Sequence, residues 1–170
     1  MILSAAVLAL VTLQRIGEMA LARRNTARLK AQGAVEAGAD HYPFIVALHA
    51  AWLGGLWILA WSAPPNIALL VLFGVLQVLR VWVIASLGRR WTTRVLVLPG
   101  RPLVRTGPYR WLRHPNYAVV AGEIAVLPLA FGLVWYAVVF SALNAAILAI
   151  RIKVENEAIA RYAEDRAGSG

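Results

Sequence analysis

The chain has 170 residues, of which 61% are hydrophobic, and 17 Lys and Arg against 8 Asp and Glu give it a net charge of +9. Soluble domains contain about 45–50% apolar residues, so a soluble globular protein is not expected, and the length predicts one domain over residues 1–170. The basic balance does not indicate a nucleic-acid partner, because long apolar blocks alternate with basic segments. The absence of cysteine excludes disulfides and thiol chemistry.

Three apolar blocks in the N-terminal half are long enough to cross a bilayer. They cover residues 2–22, 44–61 and 67–87, and about 20 apolar residues suffice for a hydrocarbon core of about 30 Å. The first block is expected to be a retained span and not a removed signal, because no basic segment precedes it and Arg15 and Glu18 interrupt it. These two residues predict either a buried pair that fixes the helix or part of a substrate channel.

A fourth apolar stretch, residues 117–150, would be about 51 Å long as one helix, which is too long for a single crossing. Gly132 predicts a turn near Phe131, so we expect a helical hairpin with two spans of about 15–17 residues; Pro128 offers an alternative kink. The predicted fold is an all-α integral membrane protein with about five transmembrane helices. It comprises three N-terminal spans in residues 1–87 and a C-terminal half in 88–170, which contains a polar loop, the helical hairpin and a C-terminal helix.

The basic residues orient these spans. Of the 17 Lys and Arg, 15 lie in residues 23–30, 89–113 and 151–166, and the turns at 62–66 and 131–132 contain none. With five spans, all basic segments lie on one side of the membrane, as the positive-inside rule requires. This predicts a multi-pass membrane protein with the N-terminus outside and the C-terminus in the cytoplasm. A soluble helical bundle would leave the one-sided charge unexplained.

Two connections on the basic side have predicted structure. Residues 26–40 have the pattern of an amphipathic surface helix interrupted by Gly33. Residues 88–115 form a long segment with seven arginines, in which residues 94–98 have the β-branched content of a short strand or extended run. Irregular segments of this length are usually functional or disordered.

The end of that segment predicts a polar pocket at the interface. Pro115 disfavours helix at His114 and suits the first turn of the next helix, so His114 lies near a helix N-terminus, where an anion is favoured. Glu123 follows at membrane depth, where a charge usually serves a site. Arg151 and Glu155 are one helical turn apart and are expected to complete the pocket. A basic anchor for anionic lipid headgroups is the alternative.

Two motifs resemble those of a known family. The runs 107–110 and 113–117 (R-H-P-N-Y), followed by Gly122-Glu123, resemble the isoprenylcysteine carboxyl methyltransferase superfamily, which includes phospholipid methyltransferases and related membrane reductases. Arg151 followed by Glu155, Asn156 and Ile159 is similar to that family's Arg…Glu-Glu…Leu element. The resemblance covers about residues 88–162.

The N-terminal half carries a narrower resemblance. Residues 14–18, 22–25, 33–36 and 41–43 are similar to a bacterial branch associated with O-methylation of long-chain polyketides such as alkylpyrones. Asn156 departs from the family pattern, because the family usually has a second Glu there. This departure argues against a carboxyl acceptor, although a prenyl-type carboxylate stays open beside a polyketide.

The resemblance implies S-adenosylmethionine as the methyl donor, bound between the loop 107–117 and the last helix. The implied cofactor-binding residues are Gly107, Tyr109, Arg113, His114, Pro115, Tyr117, Glu123 and Glu155. The implied catalytic residues are Arg151, Glu155 and His114. A Rossmann-type nucleotide loop is not expected, because Gly-x-Gly occurs only at 168–170, and three scattered histidines predict no metal.

Two functional hypotheses from different classes follow. The first is an S-adenosylmethionine-dependent methyltransferase whose partners are a lipophilic acceptor and membrane lipid. The second is a non-catalytic membrane protein that binds anionic lipid or a partner through its basic loops. A reductase relative with a nicotinamide cofactor is a third alternative. The sequence does not fix the oligomeric state.

Overall fold

A computed structural model describes residues 1–102 and 104–167, with side chains up to residue 161. Leu103 and the terminal Gly-x-Gly at 168–170 lie outside the described residues, and so does the C-terminal end of the predicted single domain.

Five helices dominate the chain. They are α1 (Ile2–Ala31), α2 (Tyr42–Leu59), α3 (Ile67–Leu87), α4 (Pro115–Ala130) and α5 (Val134–Ala167). Among the described residues, four helices are long and apolar enough to cross a membrane, whereas α4 has 16 residues, about 24 Å at 1.5 Å per residue. The predicted hairpin is confirmed, since α4 and α5 are joined by a tight turn at 131–133 in which Gly132 has φ +75°.

Hydrogen bonds show which segments share an end of the bundle. Ser4 Oγ donates to the carbonyl of Ala63, and the Asn66 amide donates to the Ala130 carbonyl at 2.7 Å. The start of α1, the α2–α3 turn and the α4–α5 turn therefore lie together at one end, which we call the bare end. The segments after α1 and α3 and the last turns of α5 lie together at the opposite, basic end. The predicted separation of basic and uncharged connections is thus present in the fold.

The structure corrects the all-α prediction at the basic end. Strands β1 (Val35–Ala37) and β2 (Val95–Val97) pair antiparallel, with Glu36 opposite Leu96. The expected extended run at 94–98 is therefore a strand, but the predicted surface helix over 26–40 is wrong beyond Ala31. There α1 ends and the chain turns through Gly33 at φ +86°, a conformation that favours glycine.

The C-terminal helix is also longer than expected. The second helix of the hairpin and the C-terminal helix are one continuous element, α5, of 34 residues. Its first part exposes large apolar side chains such as Trp135 and Val139, as a lipid-facing surface would. Its last part contributes Arg151 to the basic end, so one rigid helix links the membrane core to the site.

The apolar core occupies the half of the bundle near the bare end. Its fully buried members come from α1, α2, α3 and α4 and the turn after α4, and they include Leu8, Trp52, Phe73, Leu127 and Phe131. The polar residues that the sequence places at membrane depth lie between this core and the basic end.

Candidate functional site

His114 lies where the sequence predicts it, immediately before α4. It occupies the N-cap position with φ −129° and ψ 61°, and Pro115 begins the helix. The His114 ring stacks on the Tyr117 ring with centroids 5.3 Å apart. Its Nδ1 is 3.8 Å from Glu155 Oε2, while its Nε2 is buried without a hydrogen-bond partner. One ring nitrogen therefore faces a carboxylate, and the other is available to a ligand.

The hydroxyl of Tyr117 connects the two residues of α5 that the sequence singles out. Arg151 Nε donates to this hydroxyl at 2.8 Å, and the hydroxyl donates to Glu155 Oε2. Arg151 also donates to the Thr93 carbonyl at 2.7 Å and is only 7% exposed. The arginine and the glutamate are thus bridged through a phenol, and the guanidinium is held against the segment that precedes β2.

These side chains line a cavity of about 750 Å³ at the basic end. Volumes of 300–1,000 Å³ are usual for cofactor and ligand sites. The structure brings six of the predicted site residues to this cavity: Tyr109, Arg113, His114, Tyr117, Arg151 and Glu155. Burial first and the Glu155 carboxylate second raise the pKa of Tyr109, so its phenol stays protonated and can donate a hydrogen bond.

Gly107 and Pro115 do not line the cavity but shape its wall. Gly107 has φ +57°, and a Cβ there would lie 2.1 Å from Ser86 Oγ, so only glycine allows this loop to approach α3 so closely. Pro115 is buried at the first position of α4, where its missing N–H costs nothing. Both residues act through the backbone.

Glu123 is the predicted cofactor ligand that the structure places elsewhere. It is 1% exposed and its Oε2 lies 2.8 Å from both Arg15 Nη2 and Arg80 Nη1. Glu18 pairs with the same two arginines, at 2.8 Å from Arg15 and 2.5 Å from Arg80 Nε. We call these four residues the buried ion cluster. The predicted Arg15–Glu18 pair is therefore present, and Glu123 belongs to that cluster instead of the cavity.

Several cavity residues escape prediction from the sequence. Asn116 lines the cavity with a buried, unpartnered Oδ1, and its place inside the R-H-P-N-Y string is the signal that could have identified it. Leu29 and Ala34 come from the N-terminal half, and nothing in their local sequence indicates a site. Thr93 is not among the lining residues, but its carbonyl holds Arg151, a contact that no side-chain pattern reveals.

Strand β2 forms part of the cavity wall, and ionic contacts hold the two-stranded sheet in place. Glu36 on β1 pairs with Lys30 at 2.6 Å and with Arg94, whose guanidinium lies 4.0 Å from the centre of the Tyr42 ring. Burial acts to raise the pKa of Glu36, but the hydrogen bonds from Lys30 and Arg94 outweigh it and hold that pKa below 4.5. The sheet is thereby tied to both α1 and α2.

Two bacterial proteins are similar to this chain over most of its length. The uncharacterized protein YpbQ of Bacillus subtilis (strain 168) is 40% identical over 160 residues, which cover 91% of this chain and 95% of that protein. An uncharacterized protein of Haemophilus influenzae is 27% identical over 152 residues, or 85% of this chain and 88% of that protein. No solved structure matches the chain.

A family match covers the part of the chain that contains the cavity motifs. The isoprenylcysteine carboxyl methyltransferase (ICMT) family matches residues 67–161, more than half of the chain, from the start of α3 to the last turns of α5. Members of this family are membrane methyltransferases. The multi-pass helical fold fits that description. The chain therefore belongs to the isoprenylcysteine carboxyl methyltransferase family.

Proposed function

We propose that this protein is an S-adenosylmethionine-dependent methyltransferase that methylates an oxygen of a lipophilic acceptor, an acidic enol or phenol of an alkyl-chain lipid. The main support is the cavity at the basic end, where Tyr117 bridges Arg151 and Glu155 beside an unpartnered His114 Nε2. The protein thus has a polar site at one end of a helical bundle whose outer faces are apolar.

The cavity suits the polar groups of the methyl donor. His114 Nε2 and Asn116 Oδ1 are buried polar atoms without partners in the described part of the chain, and a bound ligand would satisfy both. Seven arginines line the cavity, among them Arg113, and suit a carboxylate. Glu155 suits an ammonium or a ribose hydroxyl, and Tyr109 and Trp91 offer aromatic surface to a sulfonium or an adenine.

The residues of this chain orient the reactants and stabilise charge. S-adenosylmethionine, when bound, supplies an electrophilic methyl group on a sulfonium. Arg151, fixed by Tyr117 and Thr93, is placed to stabilise an acceptor oxyanion. An acidic enol is ionised or nearly so near neutral pH and needs no strong base, whereas a phenol would give its proton to the Glu155 carboxylate of the cavity. Exclusion of water and orientation then lower the barrier, because transfer from a sulfonium to an oxyanion neutralises two charges.

Because the basic segments lie at one end of the bundle, a separate route to the cavity can be proposed for each reactant. The basic end is proposed to face the cytoplasm of a bacterial inner membrane, in accordance with the positive-inside rule. The water-soluble donor would enter the cavity from that side. The lipophilic acceptor would enter laterally between helices, since its alkyl chain is already dissolved in the bilayer.

Binding of S-adenosylhomocysteine to the purified full-length protein tests the donor site. We expect His114→Ala or Glu155→Ala to weaken this binding at least tenfold, about 1.4 kcal/mol. Glu157→Ala is the matched control, because Glu157 is exposed two residues further along α5 and should leave binding unchanged. Unchanged affinity in both site variants would contradict the proposed donor site, and absence of binding to the wild type would favour the non-catalytic alternative.

A further inference from the structure

The buried ion cluster is electrically neutral and its carboxylates are saturated. Arg15 and Arg80 carry two positive charges against the two negative charges of Glu18 and Glu123. The four carboxylate oxygens accept seven hydrogen bonds, five from the arginines and one each from Gln14 and Gln77. These charges and hydrogen bonds alone are sufficient for a cluster whose role is to hold the helices together.

Two polar side-chain atoms at the edge of this cluster nevertheless lack a hydrogen-bond partner among the described residues. Arg15 Nε and Gln77 Oε1 are buried and have no hydrogen-bond partner within the portion of the chain that the structure describes. One is a donor and the other an acceptor. Both side chains bind the same Glu123 carboxylate, Arg15 through Nη2 and Gln77 through Nε2, each at 2.8 Å. An unsatisfied polar atom is costly in a membrane interior, so a hydroxyl group bound to this donor and acceptor would be stabilised.

The cluster lies beneath the cavity, one level deeper in the membrane. Leu87 lines the cavity on α3, and Arg80 precedes it by seven residues. Asn116 lines the cavity on α4, and Glu123 follows it by seven. Residues seven apart share a helix face and are separated by about 10 Å along the axis. On α1, Leu29 lines the cavity and Glu18 of the cluster precedes it by eleven residues, about three helical turns. The cavity and the cluster therefore lie on the same inner faces of α1, α3 and α4, at two different depths.

From these observations we infer that Arg15 Nε and Gln77 Oε1 form an acceptor subsite, which binds a neutral hydroxyl of the acceptor's head, distinct from the oxygen that is methylated beside Arg151. This inference rests on the proposed function and adds the place where the acceptor is held. The head would lie between the cluster and the donor cavity, with its alkyl chain toward the lipid. Arg15 and Gln77 would then act as specificity-determining residues for methyl transfer.

The chemistry of the open atoms selects the head. One donor and one acceptor suit a hydroxyl, which accepts from Arg15 Nε and donates to Gln77 Oε1. A carboxylate can use the donor but would place its lone pairs against the Gln77 oxygen. It would also add a net negative charge to a neutral cluster at membrane depth, where unpaired charge is expensive. The subsite therefore favours a head that carries a neutral hydroxyl beside its reacting oxygen, as a resorcinol does, over a carboxylate bound at these two atoms.

A matched pair of glutamine variants tests the inference in the full-length protein in lipid nanodiscs. Gln77 and Gln14 each donate one bond to a cluster glutamate, but only Gln77 carries a buried unpartnered oxygen. We expect Gln77→Leu to weaken binding of a long-chain alkylresorcinol, and to raise its KM, by about fivefold to tenfold. Gln14→Leu should change neither by more than about twofold.

Binding of S-adenosylhomocysteine, measured on the same variants, separates this inference from the proposed function. Donor affinity should be unchanged in Gln77→Leu, because Gln77 does not line the donor cavity. Arg15→Lys keeps the positive charge but removes Nε. We expect it to weaken binding of the alkylresorcinol to the same extent as Gln77→Leu. Equal effects in both glutamine variants, or a wild type that binds the donor analogue but not the alkylresorcinol, would overturn the subsite. If the wild type does not bind S-adenosylhomocysteine, the proposed function itself is refuted.

Discussion

Arg151 on α5 and Tyr117 on α4 are joined by a hydrogen bond of 2.8 Å from the guanidinium Nε to the phenol oxygen. The same phenol donates to Glu155, so it accepts from a cation and donates to an anion. This arrangement fixes both ionic groups at the cavity without direct pairing between them. The phenol is therefore a positioning group for Arg151.

Removing that hydroxyl should separate orientation from donor binding. We expect Tyr117→Phe to lower kcat about tenfold to hundredfold, because a hydrogen bond to a charged group contributes about 1.5–3 kcal/mol. The ring that stacks on His114 remains, so affinity for S-adenosylhomocysteine should change little. A labelled-methyl assay with an alkylresorcinol measures this, and full activity in the variant would show that the hydroxyl does not position Arg151.

The acceptor class can be tested by direct competition. We expect an alkylpyrone or alkylresorcinol to be methylated in preference to a farnesylated cysteine analogue in a labelled-methyl assay. The reason is that this chain departs at Asn156 from the family pattern, which usually has a second Glu there, so a side chain that accompanies carboxyl acceptors in that pattern is missing. Preferential methylation of the farnesyl cysteine would contradict the acceptor class and leave the methyltransferase proposal intact.

Asn156 itself offers a companion test. Its Oδ1 is buried and unpartnered in the described structure, one residue beyond Glu155. We expect Asn156→Glu to shift preference toward the carboxyl acceptor, since it restores the family's usual residue. An unchanged ratio of the two products would show that this position does not set the acceptor.

The ionic contacts of the sheet predict a dependence of stability on pH. The folded pKa of Glu36 lies below its ordinary value of 4.5, so the carboxylate stabilises the fold above about pH 4.5, and this contribution is lost as the pH falls through the lowered pKa. We expect Glu36→Gln to lower Tm at pH 7, and the difference from wild type to shrink as the pH falls well below 4.5.

Thermal unfolding in detergent micelles, measured at pH 7 and again well below pH 4.5, tests this effect. Glu157→Gln provides the control, because that carboxylate is exposed and should give little difference at either pH. A Glu36→Gln deficit of equal size at both pH values would contradict the assigned role of the charge.

Topology follows from the two ends of the bundle. We expect reporter fusions after Lys30, Arg105 and Gly170 to report the cytoplasm, and a fusion at Pro65 to report the opposite side, because the basic segments lie at one end. Alkaline phosphatase and green fluorescent protein fusions give complementary signals. A cytoplasmic Pro65 fusion would refute the five-span topology.

Much of the fold could be predicted because its determinants are local. Apolar block lengths indicated the helices, Gly132 indicated the hairpin turn, and the basic segments indicated which connections share an end. The β1–β2 pairing could not be predicted, since each strand has three residues and Glu36 and Leu96 are 60 positions apart. The continuous α5 was also missed, because the change from apolar to basic residues at Arg151 suggests a boundary where the backbone has none.

The candidate site was predicted unevenly for a related reason. His114, Tyr117, Arg151 and Glu155 were identified by motifs, and the helical hairpin brings those motifs together. Glu123 was assigned to the cofactor because it follows the same motif, but its partner Arg80 comes from α3. Sequence spacing does not say which helices are neighbours, so a charge at membrane depth indicates a polar partner without identifying it.

The pairing of β1 with β2 has a consequence for how the chain can be divided. Although the family match begins at residue 67, Leu29 and Ala34 line the cavity at the basic end, and β1 pairs with the strand β2 that lines it. A fragment that begins at α3 would therefore leave this cavity open to water on one side and expose a strand edge. Two fragments split at the α2–α3 turn would therefore have to be expressed together, and to reassociate through the strand pairing and the buried ion cluster, before the cavity is complete.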